Sequence, residues 1–233
     1  MSDDLSFNLH NLKKIEIARK LSGWALRVFR TRDETPMLTL FKSLILPHLE
    51  YCCILTSPSK VGEISDLESV QRSFTSKIAS VKHMNYWDRL KSLKLYSLER
   101  RRERYIIIYT WKILNSLVPN FSSDSSKITA HWSDRHGLKC KIPRLKNRGR
   151  LGSNRENFLS VKGPRLFNLL PASIRNSLGS DILVFKKKLD KFLSTVPDEP
   201  SVQGYSSGRA AASNSLQDQV RFRGAWTETG PQG

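Results

Sequence analysis

Between Leu9 and Leu117 apolar residues recur at three-and-four spacing, and nowhere in that span do they alternate. An α-helix turns every 3.6 residues, so this spacing gives each segment one apolar stripe, and those stripes must bury one another. Leu9, Leu12, Ile15, Ala18, Leu21, Ala25, Val28 and Phe29 form the first stripe. They predict a helix from about Leu9 to Arg30, with Lys13, Lys14, Arg19, Lys20 and Arg27 on its polar face. Thr35-Pro36 reads as a cap and first turn. The helix it opens buries Met37, Leu38, Leu40, Phe41, Leu44 and Ile45, and Pro47 should kink or end it. Ile64, Leu67, Val70, Phe74 and Ile78 make a third stripe, and "YWDRLKSL" a shorter helical piece. Ser97 caps a long helix running to about Leu117 and closed by Pro119.

Beyond Pro119 the pattern changes. "NFSSDSSK" is a serine-rich loop, and "RHGLKCKIPRLKNRGRLGSNR" is basic and punctuated by glycine. A small unit follows, in which Phe158 and Val161 suit a short strand, and "RLFNLLP" and "ASIRNSL" suit short helices. Its last helix, "DILVFKKKLDKFL", turns Ile182, Phe185, Leu189, Phe192 and Leu193 inward. From Pro197 the chain is polar and aperiodic, which predicts disorder. The expected organisation is a mainly α fold: a helical domain over 1–118, a basic linker over 119–156, a small mostly helical unit over 157–196 with at most a short strand or hairpin, and a tail over 197–233.

Charge narrows the function. The chain of 233 residues carries a net charge of +18, shared as +8 over 1–118, +11 over 119–197 and −1 over the tail. So basic a surface selects a polyanion as partner, above all nucleic acid. Three cysteines make no disulfide framework, the first residues are polar and acidic, and "YIIIYTWKIL" is much shorter than the roughly 20 residues of a membrane span. A soluble intracellular protein without membrane contact is the expectation, nuclear or cytoplasmic.

Three constellations could carry chemistry. His48-x-Glu50-x-Cys52-Cys53 offers at most two ligands on one helical face, short of the three or four that zinc takes. Packing is the reading here: Cys52 and Cys53 are expected to be buried, with His48 and Glu50 shaping the turn after Pro47. His131, His136 and Cys140 match no metal-ligand spacing. Asp3-Asp4 lacks the rigid sheet that a metal-binding carboxylate pair needs. No phosphate-loop, dinucleotide, zinc-protease or nucleophile-elbow motif is present, so no catalytic residue, metal or cofactor is assigned.

The cation clusters are the candidate site. "SLERRRERY" sets Arg100, Arg101, Arg102 and Arg104 in the opening turns of a helix, where the macrodipole disfavours cations. Such a conflict is relieved by an anionic partner. Arg135, Lys139, Lys141, Arg144, Lys146, Arg148 and Arg150 follow Asp134 without an intervening acid, which points to phosphate contact.

Several phrases, taken in order, carry a resemblance: "KKIEIARKLSGWALRVFRTRD", "LFKSLILPHLEYCCILTSPS", "ISDLESVQRSFTSKI", "YWDRLKSLKLYSLERRRERYIIIYTWKIL", "GPRLFNLLPASIRN" and "FKKKLDKFL". Together they resemble the region downstream of the palm in reverse transcriptases of non-LTR (LINE-type) retrotransposons, over nearly all of residues 1–205. The resemblance implies a helical thumb, which grips a template–primer duplex by its backbone, and a C-terminal extension. The Y-x-D-D motif of that RNA-directed DNA polymerase family has no counterpart here, and Asp3-Asp4 resembles text that follows the palm. The expectation is a truncated reverse-transcriptase-like protein that binds RNA, DNA or their hybrid through phosphates, and is no enzyme on its own. The alternative is a helical interaction module, docking on a full-length reverse transcriptase, or an inert fragment.

Overall fold

A computed structural model of the chain describes residues 7–58, 60–119, 127–135, 137–143, 156–200 and 214–220. Asp3 and Asp4 lie outside them, as does His136. The fold is mainly helical, with nine helices and one two-stranded antiparallel hairpin among the described residues. Packing divides the chain into two compact units, 1–102 and 103–233, rather than near residue 118. The division falls inside a helix.

The first unit begins with α1 (Asn8–Val28). Arg32 closes it by donating to the carbonyls of Leu26 and Phe29 at 2.8 and 2.6 Å, a cation where the helix dipole is negative. Then come α2 (Glu34–Leu40), a π-helical turn (Phe41–Ile45) and α3 (Leu46–Glu50), one continuous rod. Asp33, not Thr35, is the N-cap of α2, and Thr35-Pro36 lies in its first turn. Pro47 does not end this helical run, which continues as α3 to Glu50. It sits in the first turn of α3, just after the wide π turn, where an α ladder restarts and needs no N–H. α4 (Val61–Thr75) and α5 (Tyr86–Ser92) complete the packing, with Met37, Phe41, Ile45, Leu67, Val70, Phe74, Ile78 and Leu90 in one core. Phe41 and Phe74 stack at 5.4 Å.

α1 is rotated from its expected face. Ile15, Ala18 and Ala25 are buried, but so are Asn11 and Lys14, while Leu9, Leu12, Val28 and Phe29 are exposed. Polar groups face inward because the loop after α3 supplies partners. Asn11 Nδ2 donates to the Thr56 carbonyl and Lys14 Nζ to Thr56 Oγ1, each at 3.1 Å. In that loop Cys53 is buried, but Cys52 is exposed, against expectation. Cys52 occupies the left-handed region (φ 51°), making it a turn residue that presents its side chain to solvent.

α6 (Leu98–Leu114) runs from the first unit into the second. As its spacing predicts, Ser97 caps it, with Oγ accepting from Arg100 N at 3.1 Å. In the second unit Trp111 of α6 stacks on Phe185 at 4.8 Å and 15°. α7 (Leu159–Asn168) replaces the strand expected at Phe158–Val161. Phe158 is extended, but only as the N-cap, and Val161, Pro164 and Phe167 are buried at helical spacing. Gly163 lets α7 approach α6: a Cβ there would lie 2.4 Å from Thr110 Oγ1. α8 (Ala172–Arg175) and α9 (Ile182–Leu193) follow, and Asp181 caps α9 by accepting from Leu183 N at 2.6 Å.

Two expectations for this unit fail. Residues 130–140, read as linker, form the hairpin of β1 (Ala130–Ser133) and β2 (Gly137–Cys140), which packs on α7 and α8. Of the tail, 201–213 and 221–233 lie outside the described residues. Residues 216–220 are helical, and Leu216 is buried, with its N–H donating to Glu103 Oε2 at 2.7 Å. A carboxylate buried in α6 thus gives the tail a partner that its own composition does not reveal.

Lys14, only 6% exposed, has its ammonium pushed down to about 8 by burial. The fold therefore disfavours its charged form, a cost absent above about pH 10.5 and complete below about pH 8. Lys14→Met, which keeps the stem, should gain stability relative to wild type as pH falls from 10 to 7, by about 1–3 kcal/mol. Denaturant melts across that range check this.

Candidate nucleic-acid interface

The four α6 arginines are built into the fold. Arg100 is 0% and Arg102 3% exposed, so neither offers surface to a phosphate. Arg101 Nε donates to Glu50 Oε1, giving Glu50 a task beyond shaping the turn after Pro47. Arg104 forks onto Asp190 of α9, Nε to Oδ1 at 2.5 Å and Nη2 to Oδ2 at 2.8 Å. The local conflict with the helix dipole is real, but its relief is internal. The Glu68 side chain, buried on α4, accepts from the N–H of Leu98 at 3.0 Å and places negative charge at the head of α6.

The second cluster stands differently. Arg135 and Lys141 are exposed and Lys139 half-buried, while Arg144, Lys146, Arg148 and Arg150 lie outside the described residues. The register pairs His131 with Lys139 and Trp132 with Leu138. Directly opposed residues share a face, so Lys139 and His131 lie on one face of the hairpin. Lys141, whose N–H donates to the Thr129 carbonyl at 2.9 Å, continues that face. Leu138 and Cys140 point the other way and are buried; burial pushes the Cys140 thiol up to about 12, out of reach of ordinary thiolate chemistry.

Side chains of the second unit hold this hairpin in place. Asn168 of α7 accepts from the Cys140 N–H at 2.8 Å and donates to its carbonyl at 2.9 Å. Asn176 accepts from the Leu138 N–H at 3.0 Å, and Arg175 donates to its carbonyl at 2.6 Å. Gly137 turns the chain at φ 65°, where an added Cβ would also meet Asn176 at 2.7 Å. The cationic face thus rides on a backbone fixed from behind.

The sequence reading missed two features. Lys187, Lys188 and Lys191 form an exposed stripe on α9, without a carboxylate partner among the described residues. Asp190, the acid at helical spacing from Lys187, is already neutralised by Arg104. The run "KKK" in a strongly periodic helix was the available signal. Trp132, on β1, is exposed, and its only sequence signal was an aromatic residue beside cations.

Among the described residues no group of three or more His, Cys, Asp or Glu side chains comes together, and no helix is long and apolar enough to cross a membrane. Comparison with known proteins gives no match: no family model, curated protein or solved structure aligns with this chain.

Arg100→Ala should cost on the order of 3 kcal/mol in denaturant unfolding, because a fully buried cation leaves its surroundings unmatched. Arg104→Ala, at a partly exposed pair, should cost about 1 kcal/mol. Neither should lower the salt dependence of any polyanion binding measured on the folded variant.

Proposed function

We propose that this chain binds RNA, DNA or their hybrid without sequence preference, through phosphate contacts, and performs no polymerase chemistry by itself. The observation that carries this reading is the hairpin's outer face, where Lys139 and Lys141, with Arg135 at the turn, stand on a fixed backbone. Basic side chains on a rigid support suit phosphate, because each contact releases condensed counterions and little ordering entropy is lost. The resemblance to the thumb and downstream region of non-LTR reverse transcriptases points the same way, although the α6 arginines it brings with it are spent inside the fold. No Y-x-D-D motif occurs in the sequence.

One observation favours a second reading, a helical protein-interaction module. Ile17, Trp24 and Val28 recur at helical spacing on α1 and are exposed, with Phe29 set edge-on to Trp24 at 6.2 Å. Size-exclusion chromatography separates the readings: self-association or co-elution with a protein, without nucleic acid, would favour the module.

Affinity for an oligonucleotide should fall linearly in log K against log salt. The triple variant Arg135→Ala/Lys139→Ala/Lys141→Ala should flatten that slope by about 2–3, near one per phosphate lost. Salt-independent affinity, or no binding at low salt, contradicts the reading. Primer extension with Mg²⁺ and a templated primer should yield no product.

A further inference from the structure

The segment 214–220 is seated more closely than its polar composition predicts. Asn214 and Gln219 are buried, and Leu216 is fully so. Residues 216–220 are helical, and Ser215 caps them. Its hydroxyl accepts from the Asp218 N–H at 3.3 Å and donates to Asp218 Oδ2 at 2.9 Å.

The seat lies within the second unit and has a definite chemistry. Glu103 of α6, 1% exposed, accepts from the Leu216 N–H through Oε2 at 2.7 Å. Lys162 of α7 stands 3.8 Å from Oε1 of the same carboxylate. After α9, Asp198 Oδ1 accepts from Asn214 Nδ2 at 2.7 Å, and the Glu199 carbonyl accepts from Gln219 Nε2 at 2.8 Å. The seat thus reads an apolar side chain, a backbone N–H aimed at a carboxylate, and a flanking pair of amide side chains.

This attachment is specific but small. One fully buried apolar side chain and a few hydrogen bonds hold a segment that residues 201–213, a polar and aperiodic stretch, join to the rest of the unit. Releasing it exposes far less surface than unfolding the unit, so its opening costs less free energy than global unfolding. Opening also strips Glu103 of its backbone donor. A buried acceptor that has lost its donor is costly, so the empty seat favours any segment that restores the N–H together with an apolar side chain.

We propose that residues 214–220 are a detachable latch, and that the seat around Glu103 is a docking site for a short helical turn led by a leucine. The occupant is the chain's own segment, and the inference does not rest on nucleic-acid binding. Two full-chain variants test it. Leu216→Asp brings a carboxylate against Glu103, and Ser215→Glu brings one against Asp218, so each should empty the seat. Amide hydrogen exchange over 214–220 should then rise by about tenfold or more, while α6 and α7 keep wild-type protection. A fluorescently labelled peptide with the sequence of residues 214–220 should bind the Leu216→Asp chain about tenfold more tightly than wild type, whose own latch competes at high effective concentration. Adding Glu103→Gln should weaken that binding about tenfold, because the acceptor loses its charge. Loss of protection throughout α6 and α7 would make the segment an integral part of the fold and overturn the proposal. So would peptide binding that is absent at millimolar concentration, equal on wild type and variant, or unchanged by Glu103→Gln.

Discussion

The Glu68 side chain, buried on α4, ties the head of α6 in place. It accepts from the N–H of Leu98, the first residue of α6, and from the Tyr86 hydroxyl on α5. Gln71, one turn along α4, donates to the same hydroxyl at 3.2 Å and to the Tyr96 carbonyl at 3.0 Å. Three helices therefore meet at one carboxylate and one phenol. Burial and the adjacent Glu68 charge push the Tyr86 hydroxyl far up, so it stays a donor. The guanidinium of Arg72 lies over its ring at 4.7 Å, so one partner serves both polar and cationic neighbours. Without an acceptor for Leu98, the N-terminus of α6 would be buried with an orphan donor and an unopposed positive dipole end.

That arrangement explains how four arginines can crowd the same turns. The negative charge they need comes from distant segments: Glu50 on α3 for Arg101, and Asp190 on α9 for Arg104. The cations then divide into those consumed by the fold and those left over. Pairing Asp190 with Arg104 leaves the exposed lysines of α9 without that carboxylate. The hairpin lysines lie on the outer face of strands whose inner face and far edge are occupied by the protein itself. The hairpin face that holds Lys139 is therefore better placed for an external polyanion than the arginine run.

Much of this was legible in the sequence, and the failures share a cause. Helix positions follow from the spacing of residues such as Leu67, Val70 and Phe74, and the caps Ser97 and Asp181 obey local chemistry. Local rules could not show that "ERRRER" is internal, because its carboxylates lie 51 and 86 residues away. The face of α1 was misjudged because Thr56, 42 residues on, offers Lys14 a partner, which periodicity cannot weigh. The mainly helical fold with at most a short hairpin was legible, but the hairpin's place at 130–140 was not, because its strands are short and the sequence around them reads as basic loop. Cys52 and Cys53 are adjacent, yet one lies in solvent and the other in the core, a split fixed by a single left-handed backbone angle.

The central claim is this division of labour between spent and available cations. Lysine acetylation footprinting, read by mass spectrometry with and without a bound oligonucleotide, tests it most directly. The account predicts that Lys139 and Lys141 become protected on binding, while exposed lysines of the first unit such as Lys42 and Lys77 react unchanged. Protection confined to the first unit, with Lys139 and Lys141 reacting as in the free protein, would contradict it.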